Sequence, residues 1–110
     1  MNICCLIGNL VRDPELRYTP QGTAIVKMTI AYNEHYGEKE NVHFFDVDVW
    51  GKMAETCNMY LTKGSKVAVI GTLQQSRWEK DGQKRSRVTI KATNIEFLTP
   101  KKEDGEMVKL

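Results

Sequence analysis

Long apolar runs are missing from this chain. No stretch is long enough to cross a membrane as a helix, and no charged segment followed by an apolar one opens the sequence. Export is therefore not expected, and we predict a cytoplasmic protein without membrane association. The 110 residues are 41% hydrophobic and 27% charged, which is typical of a globular chain. This length fits one domain with a modest core.

Cysteine and histidine are also scarce. The adjacent Cys4 and Cys5 project to opposite faces of a predicted strand and are poor disulfide partners, whereas Cys57 falls in a predicted helix. We interpret the three thiols as reduced, small core residues. His35 and His43 stand alone, without a second ligand at metal-binding spacing. We therefore expect no metal and no cofactor.

A coherent catalytic set is absent as well. Asp46 and Asp48 are two residues apart and, on one strand, would be close enough to share a proton. Nothing near them in the sequence supplies a nucleophile, a metal-ligand cluster or oxyanion donors. We predict that the protein is not an enzyme.

The net charge of +2 is unevenly distributed along the chain. Residues 63–91 contain eight basic and two acidic side chains, while the remainder of the chain is acidic. This excess indicates a surface for a polyanion, although charged strands are also typical of a solvated face. Trp78 lies within the basic segment, and an exposed aromatic ring there favours a binding surface.

Hydrophobic periodicity predicts five main strands and one helix. Lys63-Gly64 is expected to close the helix, and Asp81-Gly82 predicts a tight hairpin turn. Gly8 indicates a bulge or bend of the kind that small barrels need to close. The predicted elements are strands at 2–11, 23–33, 42–50, 65–74 and 88–98, a helix at 52–62, a hairpin arm at 76–87, an ordered connection at 12–22 and a mobile loop at 34–41.

The third predicted strand has two different faces. The first is mainly apolar, suits a core, and consists of His43, Phe45, Val47 and Val49. The second combines two aromatic rings with two carboxylates and consists of Phe44, Asp46, Asp48 and Trp50. The second face is a poor core surface and a plausible ligand surface.

The order strand, strand, strand, helix, strand, strand fits an all-β, five-stranded Greek-key barrel, the OB-fold, with one short helix between strands 3 and 4. That fold binds oligonucleotides on strands 2 and 3 and through the loops between strands 1–2 and 4–5. Aromatic rings in these places suit base stacking. The candidate stacking residues are Tyr36, Phe44, Trp50 and Trp78.

Six stretches carry a more specific signal. They are IGNL at 7–10, DPELRYTPQG at 13–22, VWGKMAE at 49–55, YLTKGS at 60–65, IGTL at 70–73, and Trp78 with DGQ at 81–83. Together they resemble the bacterial single-stranded DNA-binding protein family over residues 2–98.

The resemblance implies sequence-independent binding and protection of single-stranded DNA in replication, recombination and repair. It also implies a homotetramer, associated with the bacterial nucleoid in the cytoplasm. The family's stacking aromatics fall on Tyr36, Phe44, Trp50 and Trp78. Its basic phosphate contacts fall on Lys39, Lys52, Lys63, Arg77 and Arg85.

The chain also departs from the family pattern. Asp46 and Asp48 stand where the family usually has neutral or basic residues, and they are expected to weaken binding or redirect the bound strand. Tyr36 and Phe44 replace frequent tryptophans, which reduces stacking. The usual long linker and acidic tip do not follow, so recruitment of replication and repair proteins through such a tip is doubtful. We expect a domain at 1–100 and a short flexible tail at 101–110.

Two other classes of function stay open. One is an RNA-binding OB domain, which would prefer a ribo-oligonucleotide to the matching deoxy-oligonucleotide. The other is a structural subunit of a larger assembly, such as a replication-restart complex, in which the aromatic face meets protein. Such a subunit would keep a protein partner and lack nucleic-acid binding.

Overall fold

The computed structural model describes residues 1–99 of the chain. The predicted flexible tail at 101–110 lies outside the described residues. The elements in chain order are β1 (Cys4–Leu10), β2 (Glu15–Tyr18), β3 (Ala24–Tyr36), β4 (Lys39–Trp50), α1 (Lys52–Tyr60), β5 (Lys66–Lys80) and β6 (Gln83–Phe97).

Five of these strands close into a barrel. The neighbours follow the order β1, β5, β6, β4 and β3, and β3 pairs back with β1 where Ile30 lies beside Leu10. Strand β4 runs parallel to β6, with Val47 beside Ile90, and the other pairs described are antiparallel. The short β2 lies inside the predicted connection and pairs with the start of β3. With α1 between the third and fourth barrel strands, the predicted OB-fold is confirmed.

The core is built from the inward-facing side chains of all five barrel strands and of α1. Successive side chains on a strand point to opposite faces, so Val47 and Val49 lie inside with no exposed surface, as predicted. Burying an aliphatic side chain of this size contributes roughly 1.5–3 kcal/mol. The buried hydrophobic residues are Leu10, Ala24, Val26, Met28, Ile30, Val47, Val49, Ala54, Cys57, Leu61, Val67, Val69 and Ile90.

Barrel closure depends on a glycine at one crossing point. Strand β1 passes from β5 to β3 near Gly8. A Cβ atom on Gly8 would lie 2.6 Å from Cγ2 of Ile30 and closer still to the carbonyl oxygen of Ala31. Only glycine lets the two backbones approach so closely. Gly8 is therefore a point of close approach, and the shift of register lies instead between Ile70 and Gly71 of β5.

The predicted mobile loop at 34–41 is wrong. Strand β3 continues to Tyr36, β4 begins at Lys39, and only Gly37 and Glu38 join them. Gly37 has a φ of +58°, whereas Glu38 does not have a positive φ, and a positive φ at the first turn position alone is characteristic of a type II′ hairpin turn. This arm extends past the core, so most of its residues are exposed on both faces and no apolar alternation reveals the strands.

The predicted end of the helix is also wrong. Helix α1 ends at Tyr60, and Leu61 is its C-cap with an extended backbone. Leu61 is buried, so its packing into the core takes the chain off the helical path. Gly64 lies in the turn that follows, with a φ of +92°, and its N–H donates to the carbonyl of Leu10 at 2.8 Å.

The three cysteines are free but lie in different surroundings. Cys57 is fully buried, so its predicted place in the core is confirmed. Cys4 is half-buried and Cys5 is exposed. The core prediction is wrong for Cys5, because alternation along β1 turns its side chain outwards when that of Cys4 turns inwards.

Candidate nucleic-acid interface

Strand β4 carries exposed aromatic rings on its outer side. Val47 and Val49 point into the barrel, so their even-numbered neighbours point outwards. Among these neighbours, Phe44 is 62% exposed and Trp50 is 42% exposed. The strand therefore presents a ring at each end of the acidic pair that lies between them.

Trp78 belongs to the same side of the sheet, although it lies on β5. Asp48 of β4 is beside Lys91 of β6, so Lys91 points outwards and, by alternation, Arg85 does too. Trp78 pairs with Arg85 and is 45% exposed. We call the outer side of β3, β4, β6 and the part of β5 from Gln74 to Lys80 the aromatic face, and its rings are Phe44, Trp50 and Trp78.

Three of the predicted contact residues point away from the aromatic face. Tyr36 and Lys39 form a cross-strand pair at the tip of the β3–β4 arm. Lys39 is an odd number of residues from Phe44 on β4, so both members of the pair point to the side opposite Phe44. Arg77 precedes Trp78 on β5 and so points to the other side of its arm. The predicted residues are therefore divided between two sides of the sheet.

The two remaining predicted lysines, Lys52 and Lys63, lie at the start of α1 and in the turn that follows it. Lys52 is the first residue of α1, two positions after Trp50, and its side chain is exposed. Lys63 is exposed in the turn after α1, where its backbone N–H donates to Oδ1 of Asp13 at 2.7 Å. Of the predicted basic contacts, Arg85 shares the aromatic face with the rings.

The β5–β6 arm forms a shallow depression of about 390 Å³ around Trp78. Its lining combines one aromatic ring with three basic side chains and one acidic side chain. The lining residues are Arg77, Trp78, Glu79, Lys84, Arg85 and Ser86. By alternation, Arg85 shares the side of Trp78, whereas Arg77, Glu79 and Lys84 point to the other side of the arm. An aromatic ring with a cation beside it suits a base next to its phosphate.

The two carboxylates on the aromatic face are each paired with a cation. Asp46 accepts hydrogen bonds from Arg87 at 2.5 Å and from Oγ1 of Thr29 at 3.0 Å, and Asp48 lies 3.5 Å from Nζ of Lys27. Partial burial raises the pKa of Asp46, but the hydrogen bonds from Arg87 and Thr29 outweigh it and hold the pKa below its ordinary value. Asp46 is therefore ionised at neutral pH, opposite a compensating cation.

The other side of the β3–β4 arm holds a network that the sequence analysis missed. Tyr36 donates to one oxygen of Glu34 at 2.7 Å, and Nε2 of His43 lies 2.9 Å from the other. Hydrogen bonds from Tyr36 and His43 lower the pKa of Glu34. The ring of His43 stacks between Tyr32 and Phe45, with centroids 6.2 and 6.4 Å apart. The predicted core position of His43 and Phe45 is wrong, because this part of β4 extends beyond the barrel.

Within residues 1–99, no group of three or more His, Cys, Asp or Glu side chains is arranged to hold a metal ion. In the same part of the chain, no helix combines the length and apolar character needed to cross a bilayer.

A closed five-stranded barrel, with a helix between its third and fourth strands and exposed rings on one sheet face, defines an OB-fold protein. Comparison with known proteins then identifies the family. The model of the single-strand binding protein family matches residues 1–98. The chain belongs to this family.

Relatives from several bacteria are similar over most of the chain, and each is called a single-stranded DNA-binding protein. The protein of Treponema pallidum is 44% identical, covering 96% of this chain and 66% of its own length. That of Aquifex aeolicus is 45% identical, covering 89% and 70%. That of Deinococcus radiodurans is 40% identical, covering 89% and 34%. This chain thus spans about two thirds of the first relative and about a third of the last.

Proposed function

We propose that this protein binds single-stranded DNA without sequence preference, stacking bases on Phe44, Trp50 and Trp78 and holding phosphates with basic side chains. The observation that carries the proposal is that three exposed rings share one sheet face with the cationic β5–β6 arm. Each stacked base contributes roughly 1–3 kcal/mol, and every base has a flat face. Bases in a duplex are already stacked and paired, so single strands are preferred.

Tyr36 extends the proposed path around the β3–β4 arm. Its hydroxyl is held by Glu34, while its ring stays largely exposed. A strand that leaves Phe44 and passes the tip of the arm at Lys39 would reach this ring on the other side. The proposed path therefore wraps the arm instead of lying flat on one face.

The proposed phosphate contacts are Lys39, Lys52, Lys63, Arg77 and Arg85. All five side chains are exposed, and none forms an ion pair with a carboxylate in residues 1–99. A cation that binds phosphate releases counterions from the nucleic acid. The logarithm of affinity should therefore fall with the logarithm of salt concentration, by about 0.7 per phosphate contact on a single strand.

The role that fits this chemistry is protection of single strands during replication, recombination and repair. The relatives from Treponema pallidum and Aquifex aeolicus are called single-stranded DNA-binding proteins, which supports single strands as the ligand. Such strands arise where the chromosome is copied, and a location in the bacterial cytoplasm at the nucleoid is therefore part of the proposal. Binding by stacking and charge involves no reaction step, and no enzymatic activity is proposed.

A homotetramer is part of the proposal. Outward residues of β1 and of the first part of β5, together with Ile3 just before β1, form an apolar patch, in which Ile3 is 64% exposed and Ile7 is 53% exposed. Ile7 pairs with Ala68, and Cys5 pairs with Ile70. Exposed apolar patches of this kind mark protein interfaces. Association of copies through this patch would leave the aromatic face open to DNA.

Replacing Trp78 with alanine tests the stacking proposal, and Tyr18→Ala is the matched control. Tyr18 is a similarly exposed ring on β2, where its hydroxyl donates to Glu55 of α1 at 3.3 Å. Trp78→Ala is expected to weaken binding of an oligo-thymidine by about 1–3 kcal/mol, measured by anisotropy of the labelled strand. The control is expected to bind as the wild type does.

Equal binding by Trp78→Ala and the wild type would contradict the stacking role of this ring. Tighter binding of the matching ribo-oligonucleotide would favour an RNA ligand, and no binding of either strand would favour a protein partner for the aromatic face.

A further inference from the structure

Two arginines on β6 share the aromatic face but differ in their surroundings. Arg85 and Arg87 are two residues apart, so both point outwards. Arg87 donates to Asp46 at 2.5 Å, across the β4–β6 boundary. Arg85 donates to the neutral Gln83 at 3.4 Å and has no carboxylate partner among residues 1–99.

Asp46 is held firmly in its place opposite Arg87. Its second oxygen accepts a hydrogen bond from Thr29, and Thr29 accepts one from Arg12 at 3.0 Å. The side chain of Asp46 is 35% exposed and that of Arg87 is 55% exposed. The Asp46 carboxylate, oriented by Thr29, gives Arg87 an anionic oxygen acceptor of the kind that a phosphate would otherwise supply.

We propose that Asp46 occupies the anion site of Arg87, so that Arg87 makes no phosphate contact and the DNA backbone is displaced from the centre of β4 towards Arg85. The proposal rests on the proposed function and adds a residue that determines where phosphates bind. A phosphate at Arg87 would have to displace Asp46 or lie well within a Debye length of its charge. The centre of the aromatic face, between Phe44 and Trp50, is thus left to bases.

Asp48 repeats the arrangement more weakly. It lies 3.5 Å from Lys27 on β3 and beside Lys91 on β6. The contact between Arg87 and Asp46 is shorter than that between Lys27 and Asp48, and Asp46 also accepts a hydrogen bond from Thr29. The Asp46–Arg87 pair is therefore the one to test.

The salt dependence of binding distinguishes an arginine that is paired with a carboxylate from one that contacts phosphate. The probe is a labelled oligo-thymidine, titrated at several salt concentrations with the full-length wild type and with variants. Arg85→Gln should make the slope of log affinity against log salt shallower by about 0.7 per engaged subunit. Asp46→Asn should free Arg87, tighten binding at low salt, and make the slope steeper by about the same amount.

The double variant Asp46→Asn with Arg87→Gln decides the matter, because it removes the pair without changing the net charge. It is expected to return to the wild-type slope. A double variant with a slope as shallow as that of Arg85→Gln would show that Arg87 contacts phosphate and would overturn the proposal, as would an unchanged slope in Asp46→Asn.

Thermal unfolding of each variant checks that the barrel is intact, and Asp46→Ser replaces Asp46→Asn if the latter does not fold. A wild type that does not bind oligo-thymidine at low salt would count against the proposed function itself. The proposal for Arg87 is contradicted only if the wild type binds oligo-thymidine and the salt slopes of the variants do not differ from it as described.

Discussion

At the scale of single residues, burial and pairing set the chemistry of each side chain more than its type does. Cys57 and Cys5 are both free thiols, yet Cys57 has no exposed surface and Cys5 faces solvent. Burial raises the pKa of Cys57 to about 12, because the thiolate loses its hydration in an apolar core. The thiolate is the reactive form of cysteine.

This difference predicts the order in which the thiols react. At mildly alkaline pH, a thiol reagent is expected to modify Cys5, which lies in the proposed subunit interface, whenever the subunits separate, and Cys57 only after the chain unfolds. The folded state holds the proton of Cys57 more tightly than the unfolded state, so this group also lowers the free energy of unfolding as pH rises above the ordinary thiol pKa of about 8.5. Mass spectrometry of the labelled protein, with Cys57→Ala as the reference, measures the order. Rapid labelling of Cys57 in the folded protein would contradict the burial argument.

Some of these residue properties were predictable from the sequence. The alternation of β4 was sufficient to separate Val47 and Val49 from Trp50. The partner of Asp46 was not predictable, because Arg87 is 41 positions away and only the parallel pairing of β4 with β6 brings them together. The acidic pair looked unfavourable for DNA binding on its own, whereas the structure provides each acid with a cation.

At the scale of elements, apolar alternation predicted the strands correctly where one face of the strand is buried. It did not predict them where both faces are exposed. The β3–β4 arm was predicted as a loop because residues 34–41 are polar on both sides. Its turn residue Gly37, followed by Glu38, matches the Gly-X pattern of a type II′ hairpin. Asp81 and Gly82, which both have positive φ, confirm the second hairpin because their signal is local to the turn.

The close approach of β1 and β3 gives a prediction for the barrel. Gly8→Ala places a Cβ against the backbone of Ala31 and the side chain of Ile30. We expect it to lower the free energy of unfolding by about 1–3 kcal/mol, the usual cost of overpacking. Urea unfolding measures the change, and Asn33→Ala at an exposed strand position is the control. An unchanged urea midpoint in Gly8→Ala would show that β1 closes the barrel differently.

At the scale of the whole molecule, the order of elements was enough to predict the barrel. Five strands with a helix between the third and fourth fit the OB-fold, whose closure through β1 and β3 the structure confirms. The division of the contact residues between two sides of the sheet was not predictable. This division depends on the pairing register of the strands in both hairpin arms. A change of register by one residue would move every side chain of a strand to the opposite face.

The apolar patch on β1 and β5 gives a prediction for assembly. The wild type is expected to sediment at four times the 12.6 kDa mass of the chain. Ile7→Lys puts a charge at the centre of the patch and should produce smaller species, because an unpaired charge is costly to bury. Analytical ultracentrifugation measures both masses, and Val42→Lys, at an exposed position of the β3–β4 arm, is the control. A tetramer unaffected by Ile7→Lys would place the interface elsewhere.

The most direct test of the central claim uses the two tryptophans themselves. Trp50 and Trp78 are the only tryptophans in the chain, and both lie on the aromatic face. Addition of an oligo-thymidine at low salt is expected to quench their fluorescence strongly, and higher salt should weaken the quenching as phosphate contacts are lost. Absence of quenching at low salt would contradict base stacking on this face and would point to a protein ligand instead.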